Sequence, residues 1–263
     1  FATQFGGGEK SLGLLNPISA DLDVMRPSIL PNLIAAAARN LDRGATDIGL
    51  FEVGPQYKND TPEGQSVVAA GVRIGQAVPR NWSDPVRAID PFDAKADALA
   101  VLAEIGAPTQ KLRVFPGTAS WYHPGRSGTL RLGPKNILVA FGEVHPRMLA
   151  LLDCAGPCVA FEIYLDAMPT TKRRSTNRGA LGVQALQPVD RDFAFVVADA
   201  VSAADLVSAA IGANKKLIAA ASIFDVFSGG ALEEGMKSIA VRVSLQPTDR
   251  TLTEDDIDAV ATQ

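Results

Sequence analysis

Residues 237–245 alternate with a period of two: Ile239, Val241 and Val243 fall on one side, Ser238, Arg242 and Ser244 on the other. Only an extended strand with one face buried and one open satisfies that spacing, because successive strand side chains point to opposite faces. The flanking sequence extends the pattern. Arg191–Ala198 and Leu217–Phe227 read as strands, Ser202 caps a helix reaching about Ile211, and Ser228-Gly229-Gly230 forms a turn. Thr253 caps a last helix whose first turn holds Glu254, Asp255 and Asp256, where the positive helix end favours acids. The order β-α-β-β-α is that of a split βαβ, ferredoxin-like unit without its fourth strand, so the sequence is expected to end before that domain is complete. Its helices would cover one sheet face. The other, with Ser238, Arg242, Ser244 and Gln246, would stay open.

The preceding residues do not alternate strand and helix as a doubly wound parallel sheet would. A helix is expected over Pro31–Asp42, where Leu30, Leu33, Ile34, Ala37, Ala38 and Leu41 recur at three- and four-residue steps and Gly44 supplies the stop. Ile48–Val53 reads as a strand broken by Gly54-Pro55, and Val67–Gly75 as another. A second helix starts at Asp90, with Pro91 at its first position and Asp93 able to accept from free amides; its buried stripe is expected to be Leu99, Leu102 and Ile105. Residues 112–115, 126–132, 137–143 and 158–165 look like short strands, with a short helix near 146–152. The fold class is α+β: a mainly antiparallel sheet with flanking helices, followed by the ferredoxin-like unit.

The net charge of −4 argues at first against a nucleic-acid binder. Its distribution says more. Residues 1–170 carry 15 basic against 17 acidic groups and residues 187–263 carry 6 against 12, whereas residues 171–186 carry Lys172, Arg173, Arg174 and Arg178 and no acid. Two mildly acidic domains, 1–170 and 187–263, are therefore expected on either side of a basic linker, 171–186. No apolar run approaches a membrane span, and two cysteines cannot make a disulfide framework, so a cytoplasmic protein is expected.

Several local patterns suggest chemistry. Gly230 to Ser238 nearly spells a phosphate-binding loop, but it has one residue too many before Lys237 and leads into a strand rather than a helix. Two histidines, His123 and His145, and two cysteines, Cys154 and Cys158, have no zinc-finger spacing. Glu143 and His145 would share a strand face and could serve as a hydrolytic base pair; the bland alternative is a turn stabilised by His145-Pro146. The open ferredoxin sheet can stack bases on aromatic rings, and Phe193, Phe195, Phe224 and Phe227 are available.

A set of motifs in order then narrows the reading. Leu15-Asn16-Pro17-Ile18-Ser19, Met25-Arg26-Pro27-Ser28-Ile29-Leu30-Pro31, Asn40, Arg43, Leu50-Phe51-Glu52-Val53-Gly54, His123-Pro124-Gly125-Arg126 and Phe141-Gly142-Glu143-Val144-His145-Pro146 run through the first body. Gln187-Pro188-Val189, Arg191-Asp192-Phe193-Ala194-Phe195-Val196-Val197, Phe224-Asp225-Val226-Phe227, Gly235-Met236-Lys237-Ser238, Leu245-Gln246-Pro247 and Thr251-Leu252-Thr253 run through the second. Together they resemble the C-terminal part of the bacterial phenylalanyl-tRNA synthetase beta subunit.

The resemblance implies a class II aminoacyl-tRNA synthetase-like core without catalytic residues. The chain has no Arg-x-Glu to clamp ATP, and only Gly142 and Arg147 echo the other ATP motif. It implies an alpha subunit partner in an alpha2beta2 assembly, which ligates phenylalanine to tRNA(Phe) with ATP and magnesium, and the helix around Leu30–Leu41 as part of the packing surface. No cofactor or metal site is expected in this chain. The second domain would contact the anticodon region through Arg191, Lys237 and Arg242, with Phe227 as a stacking ring, although Arg191 and Asp192 could instead form a structural pair. The linker cations Lys172, Arg173, Arg174 and Arg178 would add phosphate contacts. Neither membrane nor DNA is an expected partner. The alternative is a free-standing hydrolase using Glu143 and His145.

Overall fold

The computed structural model describes residues 1–83, 85–169 and 184–262. The chain divides into two compact units, Phe1–Lys172 and Arg173–Gln263. The linker cations Lys172, Arg173, Arg174 and Arg178 lie outside the described residues.

The first unit contains α1 (Leu30–Leu41), β1 (Ile48–Tyr57), β2 (Gln65–Ile74), α2 (Pro91–Glu104), β3 (Arg113–Pro116), β4 (Tyr122–Leu132), β5 (Asn136–Val144), α3 (Pro146–Leu151) and β6 (Cys158–Tyr164). Its six strands form one antiparallel sheet in the order β1-β2-β6-β5-β4-β3. Alternation divides the central strands between two cores. Val68, Ala70 and Val72 of β2 and Cys158 and Ala160 of β6 pack with Leu30, Leu33, Ile34, Ala37 and Ala38 of α1. Ala69 of β2 and Phe161 and Ile163 of β6 pack with Ala98 and Leu102 of α2 on the other face. Both strands are thus buried on both sides, which is why they read as apolar runs broken late, by Arg73 in β2 and Glu162 in β6. Each fully buried Leu or Ile contributes about 1.5–3 kcal/mol.

The sheet face under α2 is shaped by one small residue. A methyl group on Gly71 would sit 2.6 Å from the Phe161 ring, so only glycine lets that ring cross β2. The α2 start is a complete capping box: Asp90 accepts from the Phe92 amide at 2.7 Å and from the Asp93 amide, while the Asp93 side chain accepts from the Asp90 amide at 2.8 Å. Its buried stripe is Ala94, Ala98 and Leu102 rather than Leu99, Leu102 and Ile105; small residues bring this helix close to the sheet, and Ile105 is exposed.

β1 also differs from expectation, continuing through Gly54-Pro55 to Tyr57. It is an edge strand, where a residue without an amide proton does not interrupt a ladder. Arg26 donates from Nε to the Pro55 carbonyl at 2.9 Å and ties that stretch down.

The second unit contains β7 (Val189–Ala198), α4 (Ala203–Ala213), β8 (Ile218–Ser228), β9 (Met236–Leu245) and α5 (Glu254–Ala261). Its antiparallel sheet has the order β7-β9-β8, with the alternating strand in the centre. Ser202 and Thr253 cap α4 and α5, and Thr253 with Asp256 completes a second capping box. Ile239, Val241, Val243 and Leu245 are buried with Leu206 of α4 and Ile257 and Val260 of α5.

Candidate nucleic-acid interface

The helices occupy one face of the β7-β9-β8 sheet, and the alternation of β9 puts Ser238, Arg242 and Ser244 on the other. Register decides their neighbours. Arg242 stands opposite Asp192 of β7 and Ser222 of β8, and Ser244 opposite Asp190. The Arg242 guanidinium donates two bonds to Asp192, from Nε at 2.8 Å and Nη2 at 2.7 Å, and Ser244 donates to Asp190 at 2.5 Å. The paired guanidinium holds the Asp192 carboxyl below its usual range. The guanidinium carbon lies 5.3 Å from the centroid of the Phe224 ring, within cation–π range.

Phe224 shares this face with Ser222, two residues before it, and a register shift between Ile223 and Asp225 sets Phe227 opposite Ser238, on the same face. Phe224 is 54% and Phe227 52% exposed. Phe227 is steadied by the following turn: Gly230 has φ of 62°, and a methyl group there would meet the ring at 3.1 Å. The open face is therefore a platform of two phenylalanine rings and one guanidinium, edged by Asp190 and Asp192.

Of the four residues expected to contact RNA, Phe227 and Arg242 share this platform. Arg191 and Lys237 do not. Arg191 is opposite Val243, on the helix-covered side, and its Nη2 lies 3.9 Å from Glu254 in the first turn of α5. Lys237 alternates with Ser238 onto that same side and donates from Nζ to the Asp199 carbonyl at 2.7 Å. Six residues separate it from the Val243 row, about 20 Å along an extended strand. The structural pair considered for Arg191 and Asp192 is replaced by Arg242 and Asp192, because adjacent residues on a strand face opposite ways. Phe224 is one of the rings the sequence offers for stacking; Asp190 and Asp192 are the members that pattern reading did not place on this face. Their signal was the alternation of Asp190 and Asp192, which becomes informative only once the register with β9 is known.

The hydrolase alternative fails on geometry. Arg126 donates to both oxygens of Glu143, at 2.5 Å from Nε and 2.7 Å from Nη2, and this pairing holds the Glu143 carboxyl below its usual range. His145 spends its Nδ1 on the Arg147 amide at 3.1 Å, capping α3. An acid committed to a guanidinium is not a general base. Cys154 and Cys158 are buried free thiols, and burial pushes the Cys158 thiol up. Among the described residues no three His, Cys, Asp or Glu side chains gather as a metal site, and no helix is long and apolar enough to cross a membrane.

Two family models match in succession. Residues 2–165 match the phenylalanyl tRNA synthetase beta chain CLM domain, and residues 185–263 match the ferredoxin-fold anticodon binding domain. The chain belongs to the phenylalanyl-tRNA synthetase beta-chain family. Similar curated proteins are the phenylalanine–tRNA ligase beta subunits of Rhodospirillum rubrum, 54% identical over 261 residues, and of Paramagnetospirillum magneticum, 52% identical over 260. The beta subunit of Brucella abortus is 51% identical over 267 residues. The matches cover 98–100% of this chain and 32–33% of those relatives, so the chain spans about a third of their length.

Proposed function

We propose that this chain is a non-catalytic segment of a cytoplasmic phenylalanine–tRNA ligase. It packs on the alpha subunit of an alpha2beta2 enzyme and contacts the anticodon region of tRNA(Phe) with residues 187–263. Residues 1–170 would form a class II synthetase-like core, a reading supported by the six-stranded antiparallel sheet with a helix against each face. The observation that carries the proposal is the succession of the two family matches, the second over a sheet whose open face bears Phe224, Phe227 and Arg242.

The charge of that face supports a particular mode of contact. With Asp190 and Asp192 beside Arg242, phosphates are repelled and bases are favoured, lying on Phe224, Phe227 and the flat guanidinium. Arg191 and Lys237 border the domain and would meet phosphates, as would Lys172, Arg173, Arg174 and Arg178. ATP and magnesium would act on the alpha subunit.

For the alpha subunit, exposure favours a surface other than α1. The apolar stripe of that helix is spent on its own core, whereas Phe51 of β1 is 80% exposed and Leu15 and Ile18 almost wholly so. Co-expression with the synthetase alpha subunit and a tRNA(Phe) pull-down, each with and without residues 187–263, tests the reading. A stable complex in both forms and loss of tRNA on deletion are expected. The chain alone, given ATP, phenylalanine and tRNA, should make no aminoacyl-tRNA; synthesis by it would overturn the assignment.

A further inference from the structure

His123 and His145 are the only histidines of the chain, and each is followed by proline. Proline has a fixed φ and no amide proton, so the first free amide after each ring belongs to the residue two positions on. Both amides turn back to the ring: Gly125 donates to Nδ1 of His123 at 3.1 Å, and Arg147 to Nδ1 of His145 at 3.1 Å. The same three-residue device thus occurs twice. β4 and β5 pair Tyr122 with Val144, and the His145 amide donates to the Trp121 carbonyl at 2.8 Å, so the two histidines are diagonal neighbours. Their ring centroids lie 6.2 Å apart at an interplanar angle of 24°.

A nitrogen that accepts from a backbone amide carries no proton. Each ring is therefore held as the Nε2–H tautomer, with its acceptor used and one donor left. Neither Nε2 has a hydrogen-bond partner among the described residues, and neither is sealed from solvent. Metal binding would require the reverse arrangement, because a ligating histidine donates its other ring N–H to an acceptor. The flanking charges are the Arg147 guanidinium, which has no ion pair among the described residues, and the mutually satisfied Arg126 and Glu143.

Two donors without acceptors on neighbouring rings, with an uncommitted cation two residues from His145, fit an anion. We propose that the Nε2–H groups of His123 and His145, with Arg147, form a phosphate-binding site on the first unit, taken by the backbone of the bound tRNA. The site rests on the tRNA reading above for the source of its phosphate, not for its chemistry.

The test uses the 263-residue chain, with circular dichroism melts to establish folding. H123N/H145N keeps an oxygen where Nδ1 accepts the backbone amide and removes the outer donor. H123Q/H145Q restores a donor near Nε2 and gives up the turn. We expect the Asn pair to weaken tRNA(Phe) binding by at least about tenfold and the Gln pair by no more than about threefold, as two donors to a charged group predict. R147Q should lower the slope of log K against log salt by about 1. Titration with inorganic phosphate, followed by imidazole 15N–1H correlations, separates the sources. If tRNA binds and the Asn pair is unchanged, the site is overturned while the tRNA reading stands. If tRNA does not bind but phosphate shifts both rings, the tRNA reading fails and the anion site stands as one for free phosphate. No response to either ligand, or rings found protonated at Nδ1, overturns the proposal.

Discussion

Glu162 is the sharpest test of how the first unit is held together. It lies in β6 between Ala70 and Ala140, is 1% exposed, and faces no cation. Its carboxylate instead accepts three bonds: from Ser28 Oγ at 3.0 Å, Trp121 Nε1 at 3.1 Å and Tyr122 Oη at 3.2 Å. Ser28 Oγ in turn accepts the Leu30 amide at 3.1 Å, at the start of α1. One buried side chain thus joins α1, the approach to β4 and the centre of the sheet. Glu162→Ala strands three donors, each costing about 1–3 kcal/mol when left unpaired in the interior. The relief of a buried charge offsets part of that, for a net loss of about 3–5 kcal/mol, as when one partner of a buried ionic contact is removed. For a unit of this size the melting temperature should fall by about 6–20 °C.

Glu162→Gln should behave differently. An amide oxygen can accept from Trp121 and Tyr122 while the amide nitrogen donates to Ser28, so a change within about 1 kcal/mol is expected. Both tryptophans, Trp82 and Trp121, belong to the first unit, and their fluorescence reports its unfolding. The pH dependence adds a second readout. Burial pushes the Glu162 carboxyl above the usual range, against the opposing bonds from Trp121, Ser28 and Tyr122. The folded state then keeps its proton over a range where the unfolded chain, with a carboxyl pKa of about 4.3, has lost it. Its contribution to stability is full below that value and is lost as pH rises through the folded one. Glu162→Gln should abolish that slope. A Gln variant as unstable as the Ala variant, or an Ala variant within about 1 kcal/mol of wild type, would refute the network.

Asp192→Asn removes both carboxylate bonds from Arg242, so tRNA binding should tighten and its salt slope steepen by about 0.7–0.9 for the one cation released. Filter binding across a salt series measures both. Phe224→Ala and Phe227→Ala should each weaken binding by about 1–3 kcal/mol with the slope unchanged, since stacking carries no charge; a change in slope would contradict the platform. Neutralising Lys172, Arg173, Arg174 and Arg178 together should flatten the salt dependence, and an unchanged slope removes the linker from the RNA account. Gly71→Ala sets a methyl group against the Phe161 ring and should cost about 1–3 kcal/mol by denaturant unfolding.

Local chemistry was legible wherever the cause is local. The Asp90 and Thr253 caps, the turn at Gly229-Gly230 and the alternation of β9 each depend on residues within a few positions, and each was read before any tertiary structure. The His145-Pro146 turn belongs with them. Longer-range consequences were not legible in the same way. Pro55 stops a central strand, but β1 is an edge, and edge position is a property of the sheet order. The α2 stripe uses alanine rather than leucine because Phe161 and Ile163 already fill the space beneath it.

The candidate interface divides along the same line. By itself the sequence determined that a half-open sheet exists and that Arg242 lies on its open side, because a period of two admits one solution. It also determined the family, through motifs that keep their order along the chain. Tertiary structure decided what Arg242 does there. Pairing β7 with β9 set Asp192 opposite it, pairing β8 with β9 set Ser222 opposite it and Phe224 within reach of its guanidinium, a bulge in β8 brought Phe227 to the same face, and the β7 register sent Arg191 and Lys237 to the other side. A one-residue slip would exchange every one of those faces, and nothing within a single strand specifies its register.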